Sequence, residues 1–231
     1  MENNIRSFFI TATDTDAGKT IAAAALMKQY RRAHYWKPVQ TGQDRDHDVV
    51  LQFSGREASY FHSGMTFNEP LSPHRAAELD GKQIELRDLD RKFEQVQEQM
   101  YAKAREISRE SSGEPELLFV EGAGGFLVPL NRKNLWPDWL AGKEISIILV
   151  CRTGLGTINH SLLSIEAIRS RKLNLAGLIF FGTENVDNQK TIVDFANVPV
   201  LGNISLPEKA NQEEVLIALN QPVDQNEFLI Q

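Results

Sequence analysis

The chain carries a single cysteine, Cys151, among 231 residues. An intramolecular disulfide is therefore impossible, and a thiolate zinc cage is excluded. No apolar run approaches the ~20 residues that a membrane-spanning helix needs. The opening MENNIRSFFITATDTD has an acid at Glu2 and only a short apolar stretch, unlike a secretory signal. Basic residues are outnumbered: 25 Lys and Arg stand against 31 Asp and Glu, a net charge of −6. A nucleic-acid or anionic-membrane binder would need a net basic face. Internal repeats and low-complexity linkers are absent. The histidines, at positions 34, 47, 62, 74 and 160, show no metal-ligand spacing on one helix face. These absences lead to the expectation of a soluble, cytoplasmic protein that binds neither nucleic acid nor membrane.

What is present is an ordinary globular balance, 42% hydrophobic and 24% charged, in a chain long enough to bury a large core. Short apolar runs at 7–13, 35–39, 117–120, 145–150, 175–181 and 198–204 read as strands. Helical patterns fall between them, at 18–33, 48–53, 158–170 and 212–219, with a helix start at Ser72-Pro73. Leu86, Leu89, Phe93, Val96, Met100, Ala104 and Ile107 recur at steps of three and four, one apolar stripe along a long surface helix. Strands alternating with helices predict an α/β fold, a parallel sheet covered on both faces. A single domain over 1–231 is expected, with a polar, loosely held tail from about residue 221.

The segment richest in chemistry is ATDTDAGKT, residues 12–20, between a strand and a helix. That is the context of a P-loop, whose backbone N–H groups and helix N-terminus surround phosphate oxygens. Lys19 would reach the β- and γ-phosphates and the Thr20 hydroxyl would ligate Mg²⁺. Such an ion needs a carboxylate. Glu121 supplies one, ending the apolar strand of LLFVEGAGG at a position where open parallel sheets gather ligands. Asp48, at the start of a short helix, is a second candidate ligand. Lys37, within WKPVQTG at 36–42, stands at the end of the second strand and adds a cation suited to the charge that develops in phosphoryl transfer. Cys151, after a buried strand, reads as a core thiol.

Together these segments resemble the dethiobiotin synthetases, ATP-dependent carboxylases of biotin synthesis. Thr13 to Thr20 is similar to that family's T-D-T-[DE]-x-G-K-T loop. Lys37-Pro38-Val39 with Thr41-Gly42 resembles K-P-V-x-[ST]-G, and Glu69 to His74 resembles E-P-x-S-P-H. Val120 to Gly125 matches V-E-G-A-G-G, and Leu155 to His160 matches L-G-x-I-N-H. The motifs stand in family order from residue 12 to residue 160.

The resemblance implies a P-loop NTPase-like parallel sheet and a reaction in which 7,8-diaminononanoate, CO₂ and ATP give dethiobiotin, ADP and phosphate. It implies Lys37 and Lys19 as catalytic cations. It implies a Mg²⁺ site of Thr20, Asp48 and Glu121. ATP would meet Asp16, Ala17, Gly18, Lys19, Thr20 and Ile21, and also Gly122, Ala123 and Gly124. Thr41 would stand with Lys37 at the carbamate. Gly156, Thr157, Ile158 and Asn159 would meet the substrate's carboxylate end, and the active unit would be a homodimer. One departure stands out. Phe181-Gly182 occupies the place where the family carries an Asn-Asp pair that reads adenine, which predicts weakened base selectivity.

Three alternatives remain at this point, the plainest of them a non-catalytic nucleotide-binding module. A related P-loop ATPase could act as a partner-binding switch, but those carry a signature lysine where this chain has Asp14. A cobyrinate-type amidotransferase would need a glutaminase domain, for which 231 residues leave no room.

Overall fold

In a computed structural model that describes residues 5–43, 45–107, 114–207, 209–224 and 229–230, a parallel seven-stranded sheet runs through the molecule. Its strands are β1 (Ile5–Ala12), β2 (Ala33–Trp36), β4 (Phe61–His62), β6 (Glu116–Glu121), β7 (Ile145–Arg152), β8 (Leu175–Phe181) and β9 (Val200–Ile204). They lie in the order β4-β2-β6-β1-β7-β8-β9. A short parallel pair, β3 (Val39–Thr41) and β5 (Met65–Phe67), stands beside it. β1, the strand that leads into the P-loop, is central. It pairs with β6 from Ile5↔Glu116 to Ile10↔Glu121 and with β7 from Ser7↔Ile145 to Ala12↔Val150. β6 is buried along its whole length and reads as an almost continuous apolar run, as a strand covered on both faces must.

Two hydrophobic layers fill the space on either side. One holds the buried faces of α1 (Lys19–Gln29), α2 (Asp46–Ser54) and α8 (Gln212–Ala218). The other holds α3 (Pro73–Leu79), α4 (Leu86–Ile107), α5 (Trp136–Leu140), α6 (Thr157–Ser170) and α7 (Val186–Ala196). The stripe predicted along α4 is buried through Leu89, Phe93, Val96, Met100 and Ala104. Alternation along β2 divides its side chains between the layers: Tyr35 enters the α1 side, and Trp36 enters the α4 side. Cys151 is buried, and burial pushes its thiol up to about 12, where it is inert.

Several boundaries differ from the sequence expectation. α1 ends at Gln29, because Tyr30 turns extended and Ala33 already begins β2. α5 and α7 are additional helices. α7 carries little apolar signal, burying only Ile192 and Ala196. Around residues 223–224 and 229 the C-terminal segment is docked where a loose tail was expected. Val223, Asp224 and Leu229 are buried. Tyr30 donates its hydroxyl to Asp224 Oδ2 at 2.6 Å, and Gln29 Oε1 accepts from the backbone N–H of Val223 and Asp224. Residues 225–228 and 231 of that tail lie outside the described residues.

Candidate nucleotide site

The carboxyl ends of β1, β2 and β6 open into a cleft of about 680 Å³. This is the side of a parallel sheet where strand ends and helix N-termini converge. Between β1 and α1 the chain loops through Asp16 and Gly18, both in the left-handed region at φ 55° and 89°. A side chain at Gly18 would also collide with the ring of Phe181, so glycine is required there twice over. Lys19, Thr20 and Ile21 then open α1 and line the cleft with Thr15, Asp16 and Gly18.

At the floor is a compact charge cluster. Glu121 is fully buried. Its Oε1 accepts from Thr20 Oγ1 at 2.9 Å and from Lys37 Nζ at 2.9 Å. Its Oε2 accepts from the Tyr35 hydroxyl at 2.8 Å. Lys37 also pairs with Asp46, whose Oδ1 lies 3.2 Å from Thr20 Oγ1. Burial opposes the charge on Lys37, but Glu121 and Asp46 together outweigh it and its pKa lies above the usual lysine value. Lys19 behaves differently. Burial, with Lys37 adding repulsion, pulls its pKa below the usual value in spite of Glu121. Among the described residues its Nζ hydrogen-bonds only the Asp14 carbonyl, at 3.5 Å, which leaves it capacity for an incoming anion.

The structure brings together Asp16, Gly18, Lys19, Thr20, Ile21, Lys37, Thr41, Glu121, Ala123 and Gly124 around this cleft. Ala17 is buried beneath the loop, and Gly122 lies against the Phe9 ring. Asp48 is the correction. Its carboxylate is more than half exposed and pairs with Arg45 and His47, while Asp46 takes the place beside Thr20. Residues two apart on a helix point roughly 200° apart. Because α2 starts at Asp46, that residue faces the P-loop and Asp48 faces away. Gly156, Thr157, Ile158 and Asn159 also stand outside the cleft. Gly156, at φ 89°, caps α6, and Thr157 donates its hydroxyl to the Arg152 carbonyl. Ile158 packs on the core, and Asn159 is exposed.

Sequence reasoning missed Tyr35 and Gln40 as members of the site, whereas Phe181 was expected beside the base and does line the cleft. Alternation along β2 was the only signal for Tyr35. Phe181 reaches the cleft because β8 ends beside the P-loop, a neighbourhood set by strand order.

The donors suit a hard cation. Thr20 Oγ1, Asp46 Oδ1 and Glu121 Oε1 are all oxygens and converge within hydrogen-bond distance. Among the described residues no group of three or more His, Cys, Asp or Glu could hold a metal by itself. An ion here would thus complete its shell with phosphates and water, which is the habit of Mg²⁺.

Comparison with known proteins agrees with this geometry. A family profile described as an AAA domain matches residues 6–214. The chain is 38% identical over 226 residues to the ATP-dependent dethiobiotin synthetase BioD of Rhodopseudomonas palustris strain HaA2, covering 95% of each chain. It is 40% identical over 215 residues to the protein of the same name from Novosphingobium aromaticivorans, covering 88% of this chain and 93% of that one. Among solved structures, a ParA family ATPase from Chlorobium tepidum TLS superposes with a TM-score of 0.52, covering 99% of this chain and 97% of that one. At 12% identity that likeness shows the fold alone, a P-loop NTPase-like sheet. The ordered motifs, the cleft they build and the extent of these matches make the chain a member of the ATP-dependent dethiobiotin synthetase family.

Proposed function

We propose that the protein is a dethiobiotin synthetase, an ATP- and Mg²⁺-dependent cyclo-ligase acting on 7,8-diaminononanoate and CO₂. The observation that carries this reading is the junction of Lys37 with Glu121, Asp46 and Thr20 at the mouth of the P-loop. One amine of the substrate captures CO₂ as a carbamate and releases a proton. A carbamate oxygen then takes the γ-phosphoryl group, and ADP leaves. Attack by the second amine on the carbonyl carbon expels phosphate and closes the cyclic urea.

Two anions, carbamate and triphosphate, must be held in contact. Lys19, Lys37 and Thr41 all line the cleft, where Lys19 would meet the phosphates and Lys37 with Thr41 the carbamate. Both lysines are fixed by the fold before the reaction, so their charge needs no reorganisation when charge shifts between the anions. Thr20, Asp46 and Glu121 would hold Mg²⁺, which would supply neutralisation of the triphosphate. Pro70 to Pro73 also line the cleft.

The homodimer implied by the family resemblance fits this reading. Segment 156–159 lies apart from the cleft of its own chain, and Leu155 beside it is fully exposed, as a subunit contact would require. A second copy facing the cleft would deliver that segment to the substrate's carboxylate. No helix among the described residues is long and apolar enough to cross a membrane. A cytoplasmic enzyme is part of the same proposal.

The test is direct. The protein is incubated with 7,8-diaminononanoate, bicarbonate, Mg²⁺ and ATP, and dethiobiotin and ADP are measured by mass. Equal yields of the two are expected. ATP hydrolysis without dethiobiotin would overturn the reading and favour a switch ATPase.

A further inference from the structure

We propose that Tyr35 is a positioning residue for the metal site, acting through Glu121. The proposal rests on the reading that Glu121 serves the ion.

A buried carboxylate can rotate about its last bond and offer either oxygen to the cleft. Here the two oxygens are assigned different duties. Oε1 faces Thr20 and Lys37, and Oε2 is turned inward to the Tyr35 hydroxyl. The Tyr35 ring has no exposure and is wedged against the rings of Phe61 and His47, with centroids 5.6 and 6.4 Å away. The hydroxyl therefore has one place to be. It reaches Glu121 because β2 and β6 are neighbours in register, with Tyr35 opposite Phe119. Glu121 is two residues beyond Phe119 and projects from the same side of the sheet.

The Tyr35 hydroxyl, buried with its ring, donates to Oε2 at 2.8 Å. A strong donor on Oε2 keeps Oε1 aimed at the P-loop hydroxyl. Phenylalanine at this position would keep the packing and remove that restraint.

The experiment measures metal binding without turnover. Mn²⁺ is titrated into the full-length protein with ADP and followed by electron paramagnetic resonance. Tyr35→Phe is expected to weaken Mn²⁺ at least ~10-fold, with ADP affinity in the absence of metal within about twofold of wild type. Phe61→Leu is the packing control. It loosens the same ring environment while leaving the hydroxyl, and should lower the thermal transition without weakening Mn²⁺. A Tyr35→Phe protein with wild-type Mn²⁺ affinity overturns the proposal. So does a Phe61→Leu protein that loses Mn²⁺ as strongly as Tyr35→Phe.

Should Tyr35→Phe not fold, the wild-type protein decides. Its four tyrosines are labelled with ring ¹³C. The Tyr35 signal should shift when Mg²⁺ joins ADP and stay still with ADP alone, and indifference to the metal overturns the proposal. If the wild-type protein with ADP binds no Mn²⁺, the nucleotide reading itself fails and takes this inference with it.

Discussion

β2 carries two buried polar clusters from adjacent residues, and they handle charge in opposite ways. On the α1 side, Tyr35 and the following Lys37 meet Glu121 and Asp46, and the cluster keeps its charges by pairing them. On the α4 side, His34 Nδ1 lies 2.9 Å from His62 Nε2, and the Nδ1 of His62 lies 2.9 Å from Gln99 on α4. Here burial, with repulsion from His62, Lys103 and Arg56, lowers His34 to about 3. The second cluster stays neutral and joins the sheet edge to α4. The difference follows from what each side opens onto. Charge is retained where a cleft waits for an anion and an ion, and it is suppressed where only packing is needed.

Substitutions sharpen this contrast. Lys37→Gln should give the largest effect, a fall in kcat of roughly 10²-fold or more, the scale of losing one charge-stabilising donor. Because Lys19 and the loop still grip the phosphates, ATP affinity should change little. Calorimetric ATP binding beside steady-state kinetics separates the two. Normal kcat with much weaker ATP binding would reverse the role given to Lys37.

Asp46 and Asp48 form a second, internal comparison. Asp46→Asn should raise the half-saturating Mg²⁺ concentration by about tenfold or more, on the order of the loss of one charged ligand contact. Asp48→Asn should leave it within about twofold, since an exposed pair contributes little. The opposite ranking would restore Asp48 to the site.

The histidine cluster predicts a pH effect on stability. His34 binds a proton in the unfolded chain below its ordinary value of 6.5, but in the folded protein only near 3. Stability is thus fully present above pH 6.5 and declines as pH falls toward 3, by roughly 1.4 kcal/mol per pH unit for this one group. Urea unfolding at pH 7.5, 6 and 5 measures it. His34→Gln should flatten the slope, and an unchanged slope would assign the loss to other groups.

The smallest effect concerns the base. Phe181 stands over Gly18 at the cleft wall and offers a ring face with no hydrogen-bonding group. Stacking tolerates any base. kcat/KM for ATP, GTP and CTP should therefore fall within about tenfold of one another. A preference for ATP above about 10³-fold would show that backbone groups read the base.

Much of this site is legible along the sequence because its parts are contiguous. The loop at 13–20, Lys37 after its strand and Glu121 before its glycines each announce themselves locally. Asp46 does not, because choosing it over Asp48 depends on the residue at which α2 begins, a phase set by packing of Val50 into the core. Tyr35 enters through a strand neighbour distant in sequence, and no local pattern marks such a pairing. The docked C-terminal segment escapes notice for a similar reason. Two apolar residues, Val223 and Leu229, sit among polar ones, and the buried partner of Asp224 is Tyr30. The layers themselves follow from alternation of apolar runs, and so the fold class was readable while α7, with two buried side chains, was not.

The strand order also dictates when the site can come into being during synthesis. β1, β2 and the P-loop emerge early from the ribosome, but β1 and β2 never touch each other in the sheet. β6, which begins at Glu116, lies between them. At about 5–20 residues per second, the P-loop strand waits on the order of ten seconds for its neighbour. Throughout that interval Lys37 has no Glu121 to pair with. The bridge between β1 and β2 and the carboxylate of the charge cluster come from the same strand, so a nascent chain released before β6 lacks both.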